Sequence, residues 1–270
     1  MYELKDTILY LDNVSVSYGN NLVLKDINLI EKDVSRVGTT TGQTIAVVGR
    51  SGRGKSTLFK VLTGLLAPTT GQALIKDFEA EGNAAKLIAE GDVGFVNQKY
   101  TLFRHKTVNQ ALMYALRKSG LTKQQKQTKI NEHLANWGLF EHKDKYPNEL
   151  SGGQQQRTAI LEQIFSSGHL MILDEPFSGL DVGNIESVKE SFRLIGSEDD
   201  FNTIIFSTHD INLAVELADS IYVIGHPSND VKYSTIVKNY DLKQMGLAWK
   251  EFGAQHLDLV NQIKIDLINS

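Results

Sequence analysis

Gly49-Arg50-Ser51-Gly52-Arg53-Gly54-Lys55-Ser56 has the spacing G-x-x-x-x-G-K-S, set between the apolar run Thr44 to Val48 and a helix-like run from Thr57 to Leu66. In a strand, glycine loop, helix context, the glycines let backbone N–H groups turn inward as an anion nest, and the helix N-terminus adds the positive end of its dipole. Lys55 then reaches the outer phosphates of a polyphosphate, and Ser56 offers its hydroxyl to Mg²⁺. A second feature is His169-Leu170-Met171-Ile172-Leu173-Asp174-Glu175, an apolar run that ends in two adjacent carboxylates. At a buried strand edge Asp174 can hold Mg²⁺, directly or through water, while Glu175 points elsewhere and can polarise a water in line with a γ-phosphate. A third is Leu150-Ser151-Gly152-Gly153-Gln154, a serine and a glycine pair before a helical run, which makes a second anion nest in the same chain.

A chain of 270 residues, 41% hydrophobic and 22% charged, can bury a full core as one large domain or a domain with an appendage. Its net charge of −4 provides no global attraction for nucleic acid or for an anionic membrane, so no nucleic-acid partner is expected. There is no cysteine, which excludes a disulfide scaffold and thiolate-bound zinc, and the seven histidines lack paired ligand spacing. The expected metal is therefore Mg²⁺ carried with nucleotide. The N-terminus, Met1 to Asp6, lacks the basic region and apolar stretch of a signal peptide, and apolar runs fall far below the ~18 residues of a membrane span. The expectation is a cytoplasmic chain that does not itself cross a bilayer.

The elements that must position these residues follow from periodicity. Residues 7–31 alternate apolar and polar about Tyr18-Gly19-Asn20-Asn21, which predicts antiparallel strands around a turn. Lys32 to Gly42 is polar and reads as a loop into the buried strand Thr44 to Val48. Strand candidates recur at Val93 to Val96, Leu170 to Leu173, Thr203 to Ser207 and Ile221 to Ile224, with helix-like segments between several of them. That alternation predicts a largely parallel α/β core. Helical periodicity over Val108 to Arg117, Lys123 to Trp137 and Gln154 to Phe165 predicts an inserted α-helical subdomain at about residues 100–165. Leu257, Val260, Ile263 and Leu267 sit at helical spacing, so residues 229–270 are expected to be a C-terminal extension whose helix packs on domain 1–228.

With both nests and the carboxylate pair in this order, the chain resembles the nucleotide-binding subunit of ATP-binding cassette (ABC) transporters over about residues 7–225. The resemblance implies a P-loop NTPase core of α/β class, with an N-terminal antiparallel β subdomain and the helical insertion. Gly49 to Thr57 looks like the Walker A loop, Leu170 to Asp174 like the Walker B strand, Glu175 like the catalytic carboxylate, and Leu150 to Gln154 like the signature motif. Ser178-Gly179-Leu180-Asp181 is similar to the D-loop, Gln98 sits where the family's glutamine contacts Mg²⁺ and the attacking water, and His209 matches the switch histidine. Tyr18 occupies the place of the aromatic that stacks on adenine, a contact of order ~1 to 3 kcal/mol. Gln98 cannot be a base, because an amide does not titrate. The implied cofactors are ATP and Mg²⁺.

The family's geometry implies a second copy, or a homologous ATPase subunit, packed head to tail so that the Ser151 nest of one covers ATP on the Lys55 loop of the other. A transmembrane permease is implied too, docking on Gln98 to Val108, with a solute-binding protein as a further component, and the site is the cytoplasmic face of the membrane. Gly153 to Arg157, Asp174 to Phe177 and the pattern from Glu251 to Leu267 look most like importers of the nitrate, sulfonate and taurine type. Leu161-Glu162-Gln163-Ile164 departs from that pattern, where an arginine-containing run is usual, and Lys32 to Thr41 is long. The alternatives are an exporter or lipid-transport ATPase, and a permease-free ABC ATPase of the iron-sulfur assembly type. A chromosome-type head is disfavoured because Lys55 and Ser151 are 151 − 55 = 96 positions apart, with no room for a long coiled coil.

Overall fold

The computed structural model describes residues 2–36, 38, 42–80, 82–97, 100–180, 182–199, 201–228 and 230–270, the side chains of Val182, Asn184 and Glu198 excepted. Two sheets organise the chain. In the first, β1 (Tyr2–Tyr18) and β2 (Asn21–Arg36) form the expected antiparallel hairpin, joined by β4 (Thr70–Lys76) and β5 (Ala85–Leu87) in the order β2-β1-β4-β5. The second contains β3 (Gln43–Val48), β6 (Gly94–Val96), β7 (Leu170–Leu173), β8 (Thr203–Thr208), β9 (Ser220–Gly225) and β10 (Thr235–Asp241) in the order β10-β9-β3-β8-β7-β6. All its pairings are parallel except β10 on β9.

Alternation in β3 explains how two cores share one sheet. Ile45 and Val47 face the first sheet and helix α1 (Lys55–Leu62), where Leu58 and Phe59 are buried. Ala46 and Val48 face the other way, into a core built with α2 (Val108–Ala115), α3 (Lys123–Asn136), α4 (Gly152–Ser167) and α5 (Val182–Glu198). Burial of a side chain such as Phe59 is worth roughly 1.5–3 kcal/mol, enough to hold α1 against the sheet. Among the described residues the remaining α-helices, α6 (Ile211–Leu217) and α7 (Ala254–Ile268), pack on each other, with α7 against β9.

Two expectations are corrected. Lys32–Arg36 is not loop but the end of β2. Its polar character misleads because Asp33 and Val34 are buried within it, beside Glu31, whose Oε2 accepts from Gln43 Nε2 at 2.8 Å and Oε1 from the Tyr222 hydroxyl at 2.7 Å. Beyond Arg36, only Gly38 and Gly42 of that stretch are described. In α7, Leu257 is not on the packing face: it is 50% exposed, while Leu259, Val260 and Ile263 are buried.

Candidate nucleotide site

The loop between β3 and α1 is shaped by its glycines. Gly52 and Gly54 have φ of 80° and 86°, a region that costs a side-chain-bearing residue. Gly54 also lies against β2, since a Cβ there would meet Leu24 Cδ2 at 2.8 Å. Gly49 is pressed on β9 in the same way, with a Cβ meeting Ile224 O at 2.6 Å. Arg50, Ser51, Gly52 and Ser56 are exposed, Arg53, Gly54 and Thr57 half-buried. Gly54 caps α1 with no side-chain hydrogen bond, which leaves the first N–H groups of the helix to an outside acceptor. Lys55 is buried beneath the loop and donates to Gly49 O at 2.7 Å.

Next to this cradle, β7 ends in the two carboxylates. Ser56 Oγ donates to Asp174 Oδ2 at 3.0 Å, and Ser207 Oγ donates to Asp174 Oδ1 at 2.6 Å. Ser207 Oγ also accepts from Glu175 N at 2.8 Å. Glu175 itself has φ of 50°, a left-handed conformation that costs a non-glycine residue of order 1–3 kcal/mol and turns the chain sharply off the strand. Its side chain is held from two sides: Oε1 lies 3.7 Å from Lys55 Nζ, and Oε2 accepts from His209 Nδ1 at 3.0 Å. The His209 side chain is 70% exposed, at the mouth of the site. Lys55, Ser56, Asp174, Glu175 and His209 therefore form one contact network, with two carboxylates turned to different partners.

The Ser151 segment is built differently. Ser151 Oγ accepts from Gln154 N at 3.4 Å and Gln154 Oε1 accepts from Ser151 N at 2.9 Å, a reciprocal cap at the start of α4. Gln154 Nε2 donates to His142 Nε2 at 2.9 Å. Gly152 is exposed and Gly153 half-buried. Polar contacts of these residues run within their own segment and to His142, not to the Lys55 loop; the link to the site is Gln156, whose Nε2 donates to Pro176 O at 3.4 Å. Where the arginine-containing run is replaced, Gln163 Oε1 accepts from Phe95 N at 3.1 Å, and Glu162 is buried at 7% exposure.

Tyr18 closes β1 at the hairpin turn, 46% exposed, and the following β2 residues Val23 and Leu24 abut Gly54, so the turn lies on the loop's side of the molecule. Gln98 and Asp181 lie outside the described residues. Sequence reasoning missed Ser207 as a functional residue; the available signal was a hydroxyl interrupting the apolar strand Thr203-Ile204-Ile205-Phe206. It also missed His226, considered below.

A glycine cradle opening α1, a carboxylate-ended strand beside it and a largely parallel sheet define an α/β P-loop nucleotide-hydrolase domain. The family model described as ABC transporter matches residues 34–178. The ergothioneine transport ATP-binding protein of Helicobacter pylori is 37% identical over 78% of this chain and 94% of its own length, and the arginine transport ATP-binding protein of Bacillus subtilis 36% identical over 79% and 86%. The sulfate/thiosulfate import ATP-binding protein of Synechococcus elongatus is 32% identical over 81% of this chain, which spans 60% of that relative's length. The solved structure of a subunit of the cbiONQ ABC transporter complex of Clostridium perfringens superimposes with a TM-score of 0.73, covering 98% of this chain and 97% of that one; at 24% identity this is a likeness of fold. The chain belongs to the ABC transporter family.

Proposed function

We propose that the chain binds Mg²⁺–ATP on the Lys55 loop and hydrolyses it to energise import of a small solute through a separate membrane permease. The observation that carries this reading is the contact network Ser56, Asp174, Ser207, Glu175, Lys55 and His209 around an uncapped helix N-terminus. Arg50, Ser51 and Arg53 fill the cradle's variable positions, and Gly49, Gly52, Gly54, Lys55, Ser56 and Thr57 wrap the phosphates through backbone N–H groups. Ser56 Oγ and Asp174 Oδ2, 3.0 Å apart, are an oxygen pair suited to a hard cation, and Gln98 is assigned beside them as a further ligand. No group of three acidic, histidine or cysteine side chains that could by itself hold a metal ion occurs among the described residues, and Mg²⁺ commonly keeps water and phosphate oxygens as its other ligands. Bound there, Mg²⁺ would supply charge to offset that developing on the β- and γ-phosphate oxygens.

Glu175 takes the proton of a water as its oxygen attacks the γ-phosphorus; the bond from that phosphorus to the β–γ bridging oxygen breaks, leaving ADP and inorganic phosphate. His209 holds the Glu175 carboxylate and donates toward the γ-phosphate, Lys55 holds its charge, and Tyr18 stacks on the base. In a head-to-tail pair, Ser151, Gly152, Gly153, Gln154 and Asp181 of a second copy complete the site. Closure on ATP and opening after hydrolysis then drive the permease, because ATP favours the closed pair over the open one.

Import is favoured over export or a permease-free role by the relatives, which are named as import or transport ATP-binding proteins. The oxyanion importers among them support a nitrate, sulfonate or taurine type of solute. No helix among the described residues is long and apolar enough to cross a membrane, so a permease partner would supply the pathway and hold the chain at the inner membrane surface. The groove of about 550 Å³ that Tyr100, Leu102 and Arg104 line with Pro147, Asn148 and Gln155 is the surface assigned to that permease. Phosphate release with Mg²⁺–ATP tests the reading. Glu175→Gln should leave ATP binding intact and cut turnover about 10² to 10⁴-fold, and unchanged turnover would remove Glu175 as the base.

A further inference from the structure

Arg53 points out of the cradle and back into the protein. Its Nη1 lies 2.9 Å and 2.7 Å from the two ring nitrogens of His226, and its Nη2 donates to Ser270 O at 3.3 Å. His226 follows directly on β9, and Ser270 follows α7, so three segments 173 and 217 positions apart meet on one guanidinium. The meeting is tight. The end of β9 touches the loop at Gly49 through Ile224 O, and a Cβ on Gly225 would lie 2.4 Å from Ser270 Cβ. Glycine at 49 and 225 is what allows the three segments to approach. Arg53 Nε is buried with no hydrogen-bond partner among the described residues, so the guanidinium depends on these contacts at its outer end.

Through these contacts the Arg53 side chain ties the phosphate loop to the end of β9 and to α7, and without that tie the loop's N–H groups are free to leave their inward arrangement. A neutral imidazole accepts from a guanidinium, whereas an imidazolium repels it. Burial, and then the charge of Arg53, holds the His226 ring below its usual pKa, which keeps it in the accepting form.

We propose that His226, backed by the Ser270 carbonyl, is a positioning residue for nucleotide binding: it holds Arg53 outward and thereby fixes the phosphate loop in the conformation that receives ATP. This couples the C-terminal segment to the nucleotide site and rests on the ATP reading above.

The test is Mg²⁺–ATP binding to the full chain by calorimetry, with melting temperature recorded for each variant. His226→Ala and Arg53→Ala should each weaken binding about fivefold, and the double variant should also lose about fivefold rather than about 25-fold, because both remove one interaction. His226→Gln, which keeps an acceptor, should restore binding to within about twofold of the parent. A His226→Ala chain that melts earlier yet binds ATP like the parent would overturn the proposal, as would effects that multiply in the double variant. A parent chain that does not bind Mg²⁺–ATP would overturn the nucleotide reading itself, and this inference with it.

Discussion

The Lys55 loop and the Ser151 segment are both serine–glycine turns that open a helix, yet the structure leaves them in opposite conditions. At α1 the cap is Gly54, left-handed and without a side-chain bond, and the carboxylates of β7 stand beside it. At α4 Ser151 and Gln154 satisfy each other's backbone N–H groups, and the Gln154 side chain also donates to His142. A side-chain cap is worth about 1 kcal/mol, so α4 starts as a finished helix, whereas no side-chain cap takes up the first N–H groups of α1. The lesson is a division of labour. The loop is an open set of donors, while a phosphate reaching Ser151 in the proposed pair would have to replace one long hydrogen bond, Gln154 N to Ser151 Oγ at 3.4 Å, with a stronger charge-assisted one.

The strongest way to break that comparison is at the open end. Lys55→Ala should weaken ATP binding about 10- to 100-fold, the scale of a hydrogen bond to a charged group, with the fold retained. Unchanged affinity in equilibrium dialysis would contradict the phosphate role of the loop.

A second effect concerns α4, the helix that Ser151 caps. Glu162 on α4 is buried, with Oε1 lacking a hydrogen-bond partner among the described residues, and burial pushes its carboxyl from the usual 4.5 up to about 7. The folded state therefore keeps this proton up to about pH 7, while the unfolded chain gives it up near 4.5. Its contribution is least unfavourable below pH 4.5, and stability falls as pH rises to about 7. Glu162→Gln should remove that fall, stabilising the chain at pH 8 by roughly 3 kcal/mol at most and by little at pH 4.5. Urea unfolding at the two pH values measures it, and an equal gain at both would show that the buried charge is not the cause.

Much of the site was legible because its chemistry is local in sequence. Gly49 to Ser56 and Asp174-Glu175 carry their geometry in a few consecutive residues, and the strands Leu170 to Leu173 and Thr203 to Ser207 announce themselves as short buried apolar runs. The unread parts depend on distant partners. Ser207 reaches Asp174 across 33 positions, and His226 reaches Arg53 across 173, so neither has a local pattern. β10 was missed because its outer residues Lys238 and Asn239 are exposed on a sheet edge, and β4 because only Ala73 and Ile75 of its seven residues are buried. Asp33 in β2 misled in the opposite sense, as a charged residue that is fully buried.

In the proposed pair ATP is held between the Lys55 loop of one copy and the Ser151 nest of another. Sedimentation velocity of Glu175→Gln with Mg²⁺–ATP, alone and combined with Ser151→Arg, reads this out. The single variant should dimerise on ATP and the double one should remain a folded monomer. A single variant that stays monomeric with ATP bound, or a double variant that still dimerises, would contradict it.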